Sequence, residues 1–229
     1  MPRLTEYTKY DDAQKYFSKE ALWQLFDGNK NELNISYECL DRHPRINTAV
    51  RICYEKSPSR SISFGELIDN SNRFANWLLH KGKQKGDRIA IMLDPSIEFY
   101  TALFGTMKAG CVAVPLFTAF GPDGLMARLK DCQPSLLILA PEKSALSSAV
   151  KIETVIGDRA LMEELDCFDD EFISNTHSSD MAMYQYTSGT SRAVSYTHLR
   201  AHETREDRGG RGGGVENRGG GGGGGGGGG

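Results

Sequence analysis

The stretch Gly86-Asp87-Arg88-Ile89-Ala90-Ile91-Met92-Leu93-Asp94-Pro95 decides the fold. It opens on a turn and then runs through apolar residues without polar alternation. Such a strand is covered on both faces, as strands of a parallel sheet are. Asp94-Pro95 is expected to cap a helix, with proline in its first turn. Ile97, Tyr100, Leu103, Phe104 and Met107 then recur at helical spacing, and Gly110 marks the stop. Cys111-Val112-Ala113-Val114, closed by Pro115, reads as the next buried strand. Strands that alternate with helices point to an α/β domain.

The pattern extends both ways. Downstream, Asp123 to Lys130 reads as a helix with Leu125, Met126 and Leu129 inward, and Leu136 to Ala140 as a strand. Residues 152–156 give a weaker strand, and the acidic residues 158–180 a single helical turn near Met162. Met181 to Tyr186 is a further strand. Upstream, Thr48 to Tyr54 reads as a strand and Ser61 to Phe64 as a short extended piece. Ser63 and Glu66 have capping-box spacing before a helix with Leu67, Ile68, Ser71, Phe74, Ala75, Leu78 and Leu79 on one face. Residues 10–26 read as one amphipathic helix, either packed on the domain or held as a loose arm. The expected organisation is a helical extension over 1–33, an α/β domain over 34–192 with a largely parallel sheet and flanking helices, and a disordered Gly-rich tail over 193–229.

Ligands of such sheets bind at the carboxyl ends of the strands. Tyr184-Gln185-Tyr186-Thr187-Ser188-Gly189-Thr190-Ser191-Arg192 stands at one such end. Gly189 lets a phosphate approach the main chain, and consecutive N–H groups in a turn can form an anion-binding concavity. Thr187, Ser188, Thr190 and Ser191 add hydroxyl donors, and Arg192 a permanent fork of donors. The same composition also suits a plain polar loop. The Walker A spacing is not met.

Composition narrows the function classes. The chain has 229 residues and a formal net charge of −3, which leaves no basic footprint for nucleic acid. Its five cysteines lack Cys-x-x-Cys pairs and are odd in number, so neither a disulfide framework nor a zinc pattern is present. They are expected to be reduced and mostly buried. No leader-type apolar segment and no membrane-spanning run occurs, so the expected location is the cytoplasm. His43, before Pro44, is read as a packed loop residue rather than a catalytic one.

Tyr186-Thr187-Ser188-Gly189-Thr190-Ser191 resembles the phosphate loop of the AMP-forming acyl-CoA synthetases, the adenylating superfamily that includes peptide-synthetase adenylation domains and luciferases. Ser191 stands where that loop has a second Thr, Arg192 where Gly is usual, and the Pro-Lys-Gly continuation is absent. Gly86 to Ala90 and Lys108 to Leu116 resemble the family's first conserved blocks, and Asn34 to Pro44 its opening segment. Pro115 to Pro122 looks closer to acyl-CoA synthetases than to peptide-synthetase domains. The resemblance implies a ligase that activates a carboxylic acid, a fatty acid for instance, with Mg2+-bound ATP and passes the acyl group to CoA. Thr187, Ser188, Gly189, Thr190, Ser191 and Arg192 would hold the ATP phosphates. No catalytic residue and no metal ligand is assigned within the chain; the family's adenine, ribose, magnesium and catalytic-lysine positions lie further on. The alternatives are a domain that adenylates amino acids or other carboxylates, a non-catalytic nucleotide-binding α/β domain, and an interaction fragment.

From Val194 the character changes. Val194 to Thr204 resembles the translation of a transposase adapter used in sequencing libraries, and polyglycine follows. Of the 26 glycines, 16 fall in residues 193–229. Genuine protein is therefore expected to end near Arg192, which would leave a truncated, inactive chain with an uncovered sheet edge. The competing reading is a flexible tail or an RNA-binding Arg-Gly segment. His198 and His202 have helical metal-ligand spacing, which carries no meaning in adapter sequence.

Overall fold

The structure, a computed structural model, describes residues 2–54 and 58–186 and the backbone of Tyr196–Arg200. Two short helices come first, α1 (Tyr10–Lys15) and α2 (Lys19–Trp23). The single helix expected over 10–26 is thus split. Ser18 sits at the break and accepts from Ala21 N, restarting the helix, and neither piece has a buried residue to hold the two in line. A π-helical turn at Tyr37–Asp41 leads to an antiparallel hairpin of β1 (Thr48–Ile52) and β2 (Arg60–Ser63). The α/β pattern follows as α3 (Phe64–His80), β3 (Arg88–Met92), α4 (Ile97–Lys108), β4 (Val112–Pro115), α5 (Pro122–Cys132) and β5 (Leu136–Leu139). After a 3-10 stretch at Pro141–Ala149 come β6 (Thr154–Ile156), α6 (Arg159–Leu165), β7 (Met181–Tyr186) and β8 (Tyr196–Arg200).

The main sheet has the order β6-β5-β3-β4-β7-β8, with β6 to β7 parallel and β8 antiparallel at the edge. Period-two geometry divides the apolar runs between two faces. Ile89, Ile91, Leu136 and Ile138 pack with Phe74, Trp77, Leu103 and Leu161 under α3, α4 and α6. Ala90, Met92, Leu137 and Leu139 pack with Leu125, Leu129 and Cys132 under α5. The doubly covered strands expected from the unbroken apolar runs are present. Tyr196–Arg200, in the stretch expected to lack structure, runs beside β7 and pairs with the edge that was expected to lie open.

Several local expectations are corrected. Ser63 Oγ accepts from Glu66 N, but the Glu66 carboxylate turns to Arg60 at 2.9 Å, so only half of the capping box forms. On α3, Trp77 is inward at 0 % exposure, while Leu79, at 49 %, faces solvent. On α5, Met126 is exposed and Cys132 takes the inward place. The cap of α4 is Ser96, which accepts from Phe99 N, leaving Asp94 for another partner. Only Cys111 and Cys132 are buried; Cys39, Cys53 and Cys167 are exposed. His43 stacks on Phe64 with centroids 4.7 Å apart, the packed role read from the sequence.

Gly105 sets how closely α3 and α4 approach. A Cβ there would lie 2.7 Å from Phe74 Cβ and 2.8 Å from the Ser71 carbonyl. Gly110 has φ +72, a left-handed turn that glycine adopts without strain and that releases α4 into β4.

Candidate nucleotide-binding edge of the sheet

The connections part at the carboxyl ends of β3 and β4. The first leads to α4 on one face, the second to α5 on the other, and such a divergence is where doubly wound sheets bind ligands. Asp94 follows β3 and Thr118 follows β4, and Thr118 Oγ1 donates to Asp94 Oδ1 at 2.5 Å across that gap. Phe117 beside it is 66 % exposed and meets Phe120 edge-on at 5.9 Å.

β7 lies next to β4 and runs parallel to it, so its carboxyl end opens on the same edge. Tyr184 and Tyr186 are two residues apart and share a face. Both phenols meet the last turn of α5: Tyr184 donates to Asp131 Oδ2 at 3.0 Å and Tyr186 to the same oxygen at 2.8 Å. The Tyr186 O–H also lies 3.1 Å from the Arg128 carbonyl, so one proton serves two acceptors. The Arg128 guanidinium sits 3.7 Å over the Phe120 ring and 5.4 Å from the Tyr186 ring, within cation–π range of both. Burial, then the bond to Asp131, push the Tyr186 phenol far above its ordinary value, so it is a donor throughout the physiological range. Burial likewise raises the Cys132 thiol, which keeps it neutral beside this cluster.

The loop assigned from sequence, Thr187, Ser188, Gly189, Thr190, Ser191 and Arg192, follows Tyr186 directly and lies outside the described residues. What the structure describes is its platform: a parallel strand that ends at the ligand edge, with its last two inward side chains tied to α5. Sequence reasoning missed Asp94, Thr118, Arg128 and Asp131. The Tyr-x-Tyr spacing was a usable signal, because partly buried phenols need acceptors, but nothing local pointed to Asp131 as the acceptor.

At the opposite end of the sheet a cavity of ≈ 800 Å³ lies between the 27–41 segment and Phe172–Thr176. Lys108, at the end of α4, and Asp41 are in its wall. It is remote from the loop-bearing edge, and its carboxylates are largely occupied. Glu38 accepts from Asp27 N, Gly28 N and Arg42, while Asp41 pairs with Lys108. Among the described residues no group of three or more His, Cys, Asp or Glu side chains could hold a metal ion, and no helix is long and apolar enough to cross a membrane.

The fold and its ligand edge define a doubly wound α/β domain with helices on both faces of a mainly parallel sheet. The chain belongs to the AMP-binding enzyme family, whose model matches residues 38–192. It is 36% identical over 144 residues to the acetyl-coenzyme A synthetase of Rhodobacter capsulatus, a match covering 60% of this chain and 21% of that protein. The Bacillus subtilis acetyl-coenzyme A synthetase is 32% identical over 138 residues, covering 58% of this chain and 24% of its own. The chain therefore spans about a fifth to a quarter of the length of these relatives. In the crystal structure of a Brucella canis acyl-CoA synthetase, 38% of that chain superimposes on 85% of this one with TM-score 0.76 and 25% identity. ATP-bound MatB from Rhodopseudomonas palustris matches over 73% of this chain and 35% of its own, with TM-score 0.62 and 25% identity.

Proposed function

We propose that this chain supplies the ATP-phosphate-binding part of an AMP-forming acyl-CoA synthetase. The observation that carries the reading is the parallel strand Met181–Tyr186, which ends at the sheet's ligand edge and continues in sequence into Thr187-Ser188-Gly189-Thr190-Ser191-Arg192. The family relationship supports it, and so do relatives whose names state acetyl-CoA synthesis. In the first half-reaction a substrate carboxylate oxygen attacks the α-phosphorus of ATP. The bond to pyrophosphate breaks, leaving acyl-adenylate. In the second, the sulfur of CoA attacks the acyl carbon, AMP departs and the thiol proton is released.

The protein's part in the first step is to hold charge and fix geometry. The hydroxyls of Thr187, Ser188, Thr190 and Ser191, the open backbone at Gly189 and the Arg192 guanidinium suit the β- and γ-phosphates, the leaving group of that step. This donor set fits an anion and offers no carboxylate for a metal. Mg2+ is bound characteristically through phosphate oxygens and one or two carboxylates, so its protein ligands are assigned outside these residues. The substrates are a small-molecule carboxylate, ATP and CoA, and the setting is the cytoplasm.

The test is ATP–pyrophosphate exchange by the native gene product across aliphatic carboxylic acids and amino acids. Exchange with carboxylic acids, followed by thioester formation with CoA, is the expected result. Exchange restricted to amino acids would assign the domain to amino-acid activation. ATP binding with no exchange would make it a non-catalytic nucleotide-binding domain.

A further inference from the structure

Between α6 and β7 one stretch has the side-chain pattern of a strand without a strand's partners. Over residues 171–178 exposure alternates residue by residue, with Glu171, Ile173, Asn175 and His177 outward. A period of two belongs to extended chain. Both ends are fastened. Asn76 Nδ2 donates to the Asp169 and Glu171 carbonyls at 2.8 and 3.0 Å. At the other end Leu33 N donates to the Thr176 carbonyl at 3.1 Å, and Ser178 N to the Lys30 carbonyl at 3.2 Å. Between these anchors, among the described residues, no backbone N–H or C=O of residues 172–175 has a hydrogen-bond partner. Ile173 is 94% exposed there, and neither proline nor lysine blunts the edge.

Strand geometry says which side is open, because the backbone groups of successive residues point to opposite edges. Thr176 and Ser178 face the 30–33 segment, so Ile173 and Asn175 face away from it. Their neighbours on that edge are occupied: His177 N and its carbonyl bond to Asp180, and Glu171 N donates to Asp169 Oδ1. The free edge is therefore the N–H and C=O groups of Ile173 and Asn175. The same stretch of a second copy, antiparallel and with Ser174 on the two-fold axis, satisfies all of them in four hydrogen bonds. That register sets Glu171 of one copy against His177 of the other, and Asp169 and Asp170 against Ser179 and Ser178, so no carboxylate meets a carboxylate. Moving the axis to Asn175 would oppose Asp170 and Asp180; moving it to Ile173 would spend Asn175 on Glu171, whose backbone is already bonded.

We propose that residues 172–175 are a self-pairing edge through which two copies of this chain join as an isologous dimer. The stretch lines the cavity at the end of the sheet away from the ligand edge, so the pairing leaves both ligand edges open.

The test is sedimentation equilibrium of the 229-residue chain from about 10 μM to about 1 mM, the window of an interface this small, with a thermal melt of every variant. A mass that rises toward twice the monomer's is expected. Ile173→Pro removes one donor per copy, hence two of the four bonds, and should weaken association about tenfold or more. Glu171→Lys and His177→Glu should each weaken it about three- to tenfold, since the cross-strand pair occurs twice per dimer. Combined, they restore opposite charges and should return association to within about twofold, a rescue that damage to the fold does not produce. Hydrogen exchange at the higher concentration should slow at the amides of Ile173 and Asn175 and stay unchanged at Phe172 and Ser174. If Ile173→Pro does not fold, the charge exchange decides. A monomer at every concentration would overturn the proposal and leave the edge to a strand of another protein. A dimer untouched by Ile173→Pro, a double variant no tighter than the single ones, or unprotected amides at Ile173 and Asn175 would overturn it as well.

Discussion

Lys108 Nζ donates to Asp41 Oδ1 at 2.9 Å from a side chain that is only 2% exposed. Its second partner is Asn72 Oδ1 at 2.5 Å. The ammonium ties the end of α4 to α3 and to the π-helical turn at once. Burial lowers the Lys108 pKa from 10.5, and Asp41 opposes the shift. Asp41→Ala leaves a buried cation without its counter-charge and should cost about 3 kcal/mol in urea unfolding. Lys108→Met should cost less, because the Asp41 side chain it strands is 20% exposed, against 2% for Lys108. The pH sign follows from the lowered value. Between the folded pKa and 10.5 the unfolded chain binds more protons, so this group's contribution to stability rises with pH. Equal costs for the two substitutions would show that the pair acts through packing rather than charge.

Gly105 should not tolerate a methyl group. The added Cβ would meet Phe74 Cβ and a backbone carbonyl, neither of which is the free end of a flexible side chain. Gly105→Ala has the better helix propensity, yet overpacking should dominate and destabilise by ~1–3 kcal/mol. A urea midpoint unchanged or raised in Gly105→Ala would mean that α3 and α4 can separate at little cost.

These two contacts mark the limit of what the sequence made legible. Ile89 to Met92 and Leu136 to Leu139 announced doubly covered strands, because an unbroken apolar run has few other homes. The helices between them were placed by period and glycine stops. The partners were not legible. Nothing local marked Lys108, in the last turn of α4, as a buried lysine; its partner Asp41 is far away in sequence. Asp94 looked like a helix cap, yet Ser96 caps and Asp94 crosses to Thr118. At the candidate site the hydroxyl-rich loop Thr187 to Arg192 is an expectation from its own residues and lies outside the described ones. Asp131, the acceptor of two phenols, was not legible, since a carboxylate near a helix end is usually a solvated one. Local signals name elements, whereas charge pairs depend on which elements the topology makes neighbours.

Cys111 should make the chain sensitive to alkali. It is 1% exposed, and burial, reinforced by Asp87, pushes its thiol from 9.0 up to about 12. Between these values the unfolded chain loses a proton that the folded chain keeps. Stability therefore falls as pH rises from 9.0 toward about 12, by up to ~1.4 kcal/mol per pH unit. Cys111→Ala should remove that part of the slope. The rising contribution of Lys108 is common to both proteins and cancels in the difference. Parallel stability–pH curves for the two would rule the thiol out. Thiol labelling with Ellman's reagent at neutral pH should reach Cys53 and Cys167 at once, and Cys111 only as fast as the chain opens.

The loop should bind without catalysing. Arg192→Ala removes a charged fork, and a charge-assisted hydrogen bond contributes ~1.5 kcal/mol or more. Tripolyphosphate affinity should then fall about tenfold, and the loss should shrink at high salt. Adenylation asks for more than a held leaving group. The carboxylate must lie in line with the α-phosphorus, and orientation of that kind can supply several kcal/mol of barrier lowering. Residues 38–192 carry the family match, but the chain spans only 21% of the Rhodobacter capsulatus relative. Groups gripping the β- and γ-phosphates cannot by themselves orient an acyl carboxylate or a thiol. The purified 229-residue chain is accordingly expected to bind tripolyphosphate and ATP yet to form no detectable acyl-CoA from acetate, ATP and CoA. Steady thioester formation by that chain would show that the orienting groups lie within these residues, and would move the search for them to the gap spanned by Asp94 and Thr118.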